Sequence, residues 1–221
     1  MMRTQSMRMY RRILTGVLSF WFLAGAYSVH GDVGRSTRDE ATQQINDTTD
    51  KILAILADER YQGEANQTER RRKIRETVDQ IFNWTEMGRA AADKHWDGAS
   101  EQQRKEFEQL FADLLEHTYM NKVEDYSGQK VEYGKATGNA LRRKVPVRIY
   151  DQNQFDISVV YDVRKEQDRP VWLVCDVTIE GISLITDYRD QFDSILSRSS
   201  FDEFLRRLRS KVKRLGSQTD K

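Results

Sequence analysis

The chain changes its hydrophobic period near Gln129, and this change constrains the fold more than any other feature. Upstream, apolar residues recur about every 3.6 residues. Downstream, the segments LRRKVPVRIY, FDISVVYDV and VWLVCDVTIEG alternate apolar and polar residues. Such alternation is typical of strands that bury one face. The residues predicted to face inward are Leu141, Val145, Val147, Ile149, Phe155, Ile157, Val159, Tyr161, Val163, Val171, Leu173, Cys175, Val177 and Ile179.

Short polar linkers join these strand segments. Residues 151–154 and 164–169 have the length and polarity of hairpin loops, so neighbouring strands are expected to pair antiparallel. The segment KVEYGK, residues 130–135, is predicted to add a strand at the edge. Pro146 lies on the polar side of its strand, where its missing N–H indicates an edge or a bulge. We expect a twisted antiparallel sheet of about four strands with one apolar face.

Helical patterns lie on both sides of this sheet in the sequence. Four precede it, and the one that starts near residue 100 opens with a capping box of Ser100 and Gln103. Two follow it, in ITDYRDQFDSIL and SSFDEFLRRLRSKVKRL. Because the apolar stripes of these helices need a partner surface, they are expected to cover the apolar face of the sheet. The predicted fold class is α+β, with N-terminal and C-terminal helices on one sheet.

Two basic segments leave alternatives open. Residues 70–73 read RRRK and are interpreted as a solvated helix face flanked by Glu69 and Glu76, with a membrane or partner patch as the alternative. The last predicted helix carries six Lys and Arg residues between 206 and 214. These cations suit either the negative end of the helix dipole or a docking surface.

The N-terminus has the pattern of a secretory signal peptide. Four arginines without an acid precede a 14-residue apolar run, Ile13 to Ala26, that ends in Ala-Gly-Ala. This order of a basic, an apolar and a small-residue region predicts cleavage after residue 26, or as late as residue 31. An uncleaved anchor is the alternative, although a span needs about 20 apolar residues. We therefore expect residues 1–26 to be a signal peptide and 27–221 to form a single domain.

Charge and cysteine content exclude several classes. Removing residues 1–26 takes away four arginines and no acid, so 36 basic residues become 32 against 35 acidic ones. A mature protein near −3 does not suit nucleic-acid binding, which requires a basic excess. Cys175 is the only cysteine, so no internal disulfide can form. The residue that follows Leu-Ala-Gly is alanine, so no lipoprotein anchor is predicted.

Candidate chemistry is sparse. His95 and His117 fall in different helices without a second ligand at metal spacing, and the sequence contains no nucleophile elbow or phosphate-binding loop. Cys175 is predicted to be a small buried hydrophobe. Carboxylates on the polar face, such as Asp176 and Glu180, are interpreted as solvated, and an isomerase-like pocket enzyme remains an alternative. The charges around the corner TIEGISLITDYRDQF also leave catalysis or a structural frame open.

A set of motifs resembles a known family. The series begins with HW at 95–96 and continues through SEQQRKEFEQLFADLLEHTY and DYSGQKV to DVTIEGISLITDYRDQF. It resembles the MlaC, or toluene-tolerance auxiliary, family over residues 76–211. The most specific part combines EGISL at 180–184 with YRDQFDSIL at 188–196.

The resemblance implies a periplasmic phospholipid-binding shuttle that maintains outer-membrane lipid asymmetry. Its expected partners are phospholipid, an outer-membrane lipoprotein complex and an inner-membrane ABC transporter. A monomer without cofactor or metal, carrying phospholipid as cargo, is implied. The lipid tails are expected to contact the sheet residues Val145, Val147, Ile149, Ile157, Val159, Tyr161, Leu173, Cys175 and Val177. The helical side is expected to close the cavity with Trp84, Met87, Leu110, Leu114, Tyr119, Leu184 and Tyr188. A non-lipid periplasmic adaptor with a filled core is a further alternative.

Overall fold

The described residues form six helices beside the sheet, and side-chain caps mark the start of each of them except α2. In the computed structural model, which describes residues 39–126, 128–150, 156–166 and 171–219, Asp39 caps the first helix and Ser100 forms the predicted capping box with Gln103. The helices are α1 Glu40–Ala57, α2 Gln67–Asp79, α3 Trp84–Ala92, α4 Glu101–Glu124, α5 Leu184–Leu196 and α6 Phe201–Thr219. Short 3₁₀ turns span Glu59–Tyr61, Glu64–Asn66 and Asp93–His95. No helix among the described residues is long and apolar enough to cross a bilayer.

The described residues form one antiparallel sheet of six strands. The strands are β1 Lys130–Tyr133, β2 Thr137–Gly138, β3 Arg142–Tyr150, β4 Asp156–Lys165, β5 Trp172–Ile179 and β6 Ile182–Ser183. Their order is β1-β3-β4-β5-β6, and β2 also pairs with β3. The α+β class is confirmed. Two strands more than expected are present because β2 and β6 are two residues long and too short to show alternation.

Pro146 lies inside the sheet. It is paired with Val160 of β4, and on its other side the carbonyl oxygen of Pro146 accepts the Gly134 N–H at 2.8 Å. Both β1 and β2 pair with β3, and Pro146 lies opposite the gap between the end of β1 and the start of β2. A continuous partner strand at this point would need the backbone N–H that proline lacks. The predicted edge is therefore a local gap beside β3.

A β-bulge corrects part of the predicted face of β5. Asp162 pairs with Asp176, but the next residue, Val163, pairs with Val174, so Cys175 is the extra residue. The bulge shifts the alternation by one residue, which places Val174 and Trp172 on the apolar side in place of Cys175, Leu173 and Val171. Both Leu173 and Cys175 are buried but lie outside the main hydrophobic cluster.

Three different segments form hydrogen bonds with the edge of β5 that does not face β4. β6 pairs with its C-terminal end. In the middle, Val174 donates its N–H to the Ile81 carbonyl at 2.7 Å and accepts the Asn83 N–H at 2.9 Å. At the start, the Gln44 side chain of α1 bonds both the N–H and the carbonyl of Trp172. Because its backbone groups are paired, this edge offers little to another strand.

An aromatic cluster joins the helices to one another. The ring of Phe107 in α4 lies 5.7 Å from Phe111, 5.6 Å from Phe192 of α5 and 5.6 Å from Phe204 of α6, measured between centroids. Phe107, Phe111 and Phe204 are fully buried. Such ring pairs add about 0.5–1.5 kcal/mol each beyond area burial. Phe107 in the predicted apolar stripe of α4 therefore contacts both α5 and α6 through its ring.

The basic run at 70–73 is only partly a solvated face. Arg70 and Arg71 turn towards Glu124 of α4, with Nη2–Oε distances of 2.8 and 2.6 Å. About a tenth of each side chain remains exposed, whereas Arg72 is half exposed and pairs with Glu69 and Glu76 on the same helix. The interpretation as a solvated face is wrong for Arg70 and Arg71. Their partner Glu124 lies 54 and 53 residues away in the chain, so the local sequence did not reveal the contact.

Candidate functional site

The apolar side of the sheet, here called the inner face, is a regular grid of paired side chains. Directly paired residues share a face, so the register gives its rows. Taken from one end of the sheet to the other, the rows are Arg143, Val163 and Val174; Val145, Tyr161 and Val177; Tyr133, Val147, Val159, Ile179 and Ile182; and Val131, Ile149 and Ile157. The described residues of β3 and β4 therefore follow the predicted alternation. The prediction is wrong for Leu141, which precedes β3 and is 47% exposed, and Phe155 lies outside the described residues.

The apolar side chains of the inner face become less buried from the first row to the last. Val163, Val174 and Val145 are fully buried. Further along, Ile149 is only partly buried, and Ile157 is 46% exposed. Ile182, at the far side of the third row, is 62% exposed. The inner face thus has a closed end and an open end. The open end is where β3 ends and β4 begins.

Helix α1 shuts the closed end. Its cap residue Asp39 pairs with Arg143 at 3.5 Å, and Glu40 pairs with Lys165 at 2.7 Å. The Lys165 ammonium also lies 5.5 Å from the centre of the Trp172 ring. A hydrogen bond and the charge of Lys165 lower the pKa of Glu40. These contacts fix the start of α1 over the first row.

The helices approach the sheet unevenly. Among the described elements, α1 comes closest beside β3, and α3 and α5 come closest beside β5, whereas α4 packs chiefly on α3 and α6. The hydrophobic cluster is nevertheless continuous from α4 and α5 to the inner face through buried side chains. Apolar side chains of β3 and β4 near the open end are therefore left with partial cover.

Three tyrosines occupy apolar surroundings on this side. Burial raises the pKa of Tyr161 to about 12, and burial also raises the pKa of Tyr188 and Tyr119. The Tyr188 ring packs edge-on against Phe111 with 5.3 Å between centroids. Tyr161 and Tyr119 keep some accessible surface. Their phenols stay neutral at physiological pH, so they contribute apolar surface and a polar tip without charge.

Apart from Leu173 and Cys175, the predicted lining residues fall into three groups. One residue, Ile157, lies on the inner face at the open end and is exposed. Trp84, Tyr119, Ile149 and Tyr161 are partly buried against the cluster. Buried members of the cluster are Met87, Leu110, Leu114, Val145, Val147, Val159, Val177, Leu184 and Tyr188.

Two of the predicted lining residues are misplaced. Leu173 pairs directly with Arg164, so the two residues share a face of the sheet. The Arg164 guanidinium reaches Glu86 at 3.0 Å, and this face is the one opposite the inner face. Cys175 sits at the bulge, and its thiol has the carbonyl oxygen of Leu173 as neighbour at 3.6 Å. The physical reason is the one-residue shift at the bulge, which no local pattern revealed.

Several residues of the inner face were not predicted as lining residues. Val131 and Tyr133 join it through β1, and their alternation in KVEY was a usable signal. Ile182 joins it through β6, which is too short to predict. Trp172 and Val174 were assigned to the wrong side or left unassigned because of the bulge.

Charged residues in and beside segment 180–190 form hydrogen bonds that hold neighbouring strands and helices together. Glu180 bonds the backbone N–H of Ser158 through its side chain, and its own N–H donates to the Ser158 carbonyl at 2.9 Å. Asp176 accepts the Ser183 hydroxyl at 2.6 Å and the Ile185 N–H at 3.2 Å, so it holds the start of α5. Arg189 donates to the Ala90 carbonyl at 2.9 Å and ties α5 to α3. These groups are occupied by structural bonds.

Metal chemistry has no support in the part of the chain that the structure describes, since no group of three or more His, Cys, Asp or Glu side chains there could hold an ion. His95 contacts Asp193 at 2.7 Å, and Lys94 pairs with the same carboxylate at 2.8 Å. Hydrogen bonds from these two residues lower the pKa of Asp193. This cluster links the turn after α3 to α5.

Comparison with known proteins agrees with the fold. The family model described as MlaC protein matches residues 46–210, about three quarters of the chain. The chain belongs to the MlaC family. A curated relative from Haemophilus influenzae, the intermembrane phospholipid transport system binding protein MlaC, is 24% identical over 138 residues. That alignment spans 61% of this chain and 64% of the relative's length.

A solved structure supports the MlaC fold directly. The phospholipid-binding protein from Ralstonia solanacearum, determined in complex with a phospholipid, superposes with a TM-score of 0.72 at 20% sequence identity. The match covers 80% of this chain and 99% of that one. At this identity the likeness shows a shared fold, and it confirms the α+β architecture of this MlaC family member.

Proposed function

We propose that this protein is a phospholipid-binding shuttle of the periplasm, which carries phospholipid between the outer and inner membranes. The observation that carries the proposal is the inner face, whose apolar rows lose their cover towards Ile149 and Ile157. Family membership and the printed names of the relatives from Haemophilus influenzae and Ralstonia solanacearum support it. The partners we propose are the family's outer-membrane lipoprotein complex and inner-membrane ABC transporter.

The energetics require a covered apolar site. Burial of an acyl chain contributes about 0.8 kcal/mol per CH₂, so two chains of ~16 carbons amount to on the order of 20 kcal/mol. A lipid in water forfeits this energy, and a carrier must recover most of it by enclosing both tails. We propose that the tails enter at the open end and lie along the inner face, with Ile149, Tyr161 and Tyr119 among their contacts. The headgroup then stays in water, which predicts little headgroup selectivity.

The proposal includes no catalysis and no cofactor. Asp176, the carboxylate that an enzyme would most plausibly use on this sheet, is engaged at the start of α5. Cys175, the only thiol, is buried, and burial raises its pKa to about 11. A nucleophilic thiol needs the opposite shift. Residues 1–26 are proposed to direct export and lie outside the described residues.

Native mass spectrometry of the exported protein tests the carrier function. We expect a mass increment of one phospholipid above the apoprotein, which organic extraction should remove and identify. Mixing the stripped protein with phospholipid vesicles should restore the increment. A protein that emerges empty, and takes no lipid from vesicles while remaining folded by circular dichroism, contradicts the proposal and favours the adaptor alternative.

A further inference from the structure

Helix α6 has two faces of opposite character. Its buried face, formed by Phe204, Leu205, Leu208 and Val212, belongs to the hydrophobic core. Its exposed positions recur on the other side and contain no apolar residue. We call the exposed positions after the first turn, where Asp202 is also exposed, the basic stripe; they are Arg206, Arg207, Arg209, Ser210, Lys213, Arg214 and Ser217.

Positive charge is concentrated on α6, whereas acidic residues slightly outnumber basic ones in residues 27–221 as a whole. α6 contains six basic residues and two acidic ones, whereas residues 27–221 as a whole carry 32 basic and 35 acidic residues. Glu203 pairs with Arg206 and Arg207, and Glu106 of α4 pairs with Arg209. Lys213 and Arg214 form no ion pair with any residue in the described part of the chain.

The helix dipole does not account for the stripe. Stabilisation of a helix by cations falls off within its last turn. The last turn of α6 contains no basic residue, because the basic residues end at Arg214 and the helix continues to Thr219. The capping interpretation of these residues is therefore unsupported, and a surface role is left for the cations.

The orientation of α6 adds to this argument. α6 runs parallel to α4, since Gln103 bonds Asp202 at 2.7 Å near their starts and Gly216 packs against the ring of His117 further along. Lys213 and Arg214 thus lie beside the half of α4 that leads to Tyr119. Tyr119 in turn packs, partly buried, against the hydrophobic cluster.

We propose that the basic stripe docks the protein on an anionic phospholipid surface, with Lys213 and Arg214 as the principal contacts. Protein interfaces place aromatic or apolar anchors at their centre. The stripe has none, so it suits a partner that offers diffuse negative charge and no complementary pocket. A membrane that contains anionic headgroups has that chemistry. The inference rests on the proposed carrier function, because a carrier whose partners are embedded in two membranes works close to anionic lipid surfaces.

Vesicle flotation tests the docking surface. Wild-type protein should float with phosphatidylcholine vesicles that contain about a third phosphatidylglycerol, and should remain in solution with pure phosphatidylcholine vesicles. Raising the salt from about 0.1 to about 1 M shortens the Debye length from ~10 to ~3 Å and should abolish binding. At about 1 kcal/mol for each basic residue, the double variant Lys213→Gln with Arg214→Gln should bind on the order of 30-fold more weakly.

A matched control carries the same loss of charge elsewhere. Lys51 in α1 and Arg198 after α5 are exposed and lie outside α6. The double variant Lys51→Gln with Arg198→Gln should retain most of the wild-type binding. Thermal unfolding of both variants, with loss of fewer than a few degrees, verifies that they are folded.

The outcomes separate docking from carriage. Absence of wild-type binding to anionic vesicles, equal binding to neutral ones, or equal losses in the two double variants overturns the docking proposal. If the native mass spectrum still shows bound lipid in these cases, the carrier function stands. Lipid exchange that depends on Lys213 and Arg214 without any vesicle binding would assign the stripe to an acidic protein partner instead, and so also overturns the membrane assignment.

Discussion

Val145 and Ile149 lie on the same strand and the same face, four residues apart, yet Val145 is fully buried and Ile149 is only partly buried. Tight packing around Val145 leaves no room for a larger side chain. Partial cover at Ile149 leaves room. The same substitution at the two positions therefore distinguishes core from lipid site.

Ile149→Trp should fill the open end of the inner face. We expect nearly unchanged thermal stability and loss of most bound phospholipid, measured by native mass spectrometry. Val145→Trp should instead overpack the closed end and destabilise the fold by about 3 kcal/mol or more. If Ile149→Trp unfolds the protein as readily as Val145→Trp, the open end is ordinary core and the lipid site lies elsewhere.

Glu124→Gln should destabilise the junction of α2 and α4. It removes the carboxylate that Arg70 and Arg71 both contact at this enclosed junction, and breaking such a pair costs about 3–5 kcal/mol. The midpoint of urea denaturation measures the loss. Glu69→Gln, which removes an exposed partner of Arg72, should cost less than about 1 kcal/mol. Equal effects of the two changes would show that the Glu124 network is as solvated as the surface pair.

Cys175 should react slowly with iodoacetamide in the folded protein. Burial raises the pKa of its thiol from 9.0 to about 11, which lowers the thiolate fraction at neutral pH by about a hundredfold, and only 8% of the residue's surface is exposed. Labelling in urea should be faster by at least that factor. Labelling rates that match in the two conditions would contradict the buried position of Cys175.

The raised pKa of Cys175 also predicts that the stability of the fold decreases at alkaline pH. Because the folded-state pKa of Cys175 lies above its unfolded value, its contribution to stability is complete below pH 9 and is lost as the pH rises towards 11. Cys175→Ala should flatten the fall in urea midpoint across this window. An unchanged slope would assign the alkaline loss to other groups, such as Tyr161 with its pKa of about 12.

Gly181→Ala should weaken the turn that connects β5 to β6. Gly181 has a φ of 80°, a left-handed conformation that costs an L-residue about 1–2 kcal/mol. No atom lies within 4 Å of the position that the added Cβ would occupy, so the cost is conformational. Gly98→Ala lacks a positive φ and meets only the His95 carbonyl oxygen at 3.8 Å, so it should be neutral. Unfolding free energies of the two variants give the comparison.

The residues of β3 and β4 show how far sequence reasoning extends. Val145, Val147, Val159 and Tyr161 share the predicted face because alternation is a local property of an extended chain. The motif EGISL with YRDQF was sufficient to identify the family. Its charges at Glu180 and Arg189, which left catalysis open, turned out to bond backbone groups of β4 and α3.

The sequence by itself determined the α+β class, the apolar sides of β3 and β4 and the family, because each depends on periodicity or motif within a continuous segment. Only the tertiary structure decided the bulge at Cys175, since one extra residue becomes visible when β5 pairs with β4. It alone decided which apolar residues are enclosed and which are open, as Val145 and Ile157 illustrate. Enclosure depends on helices distant in the chain, and no local pattern encodes their distance from the sheet.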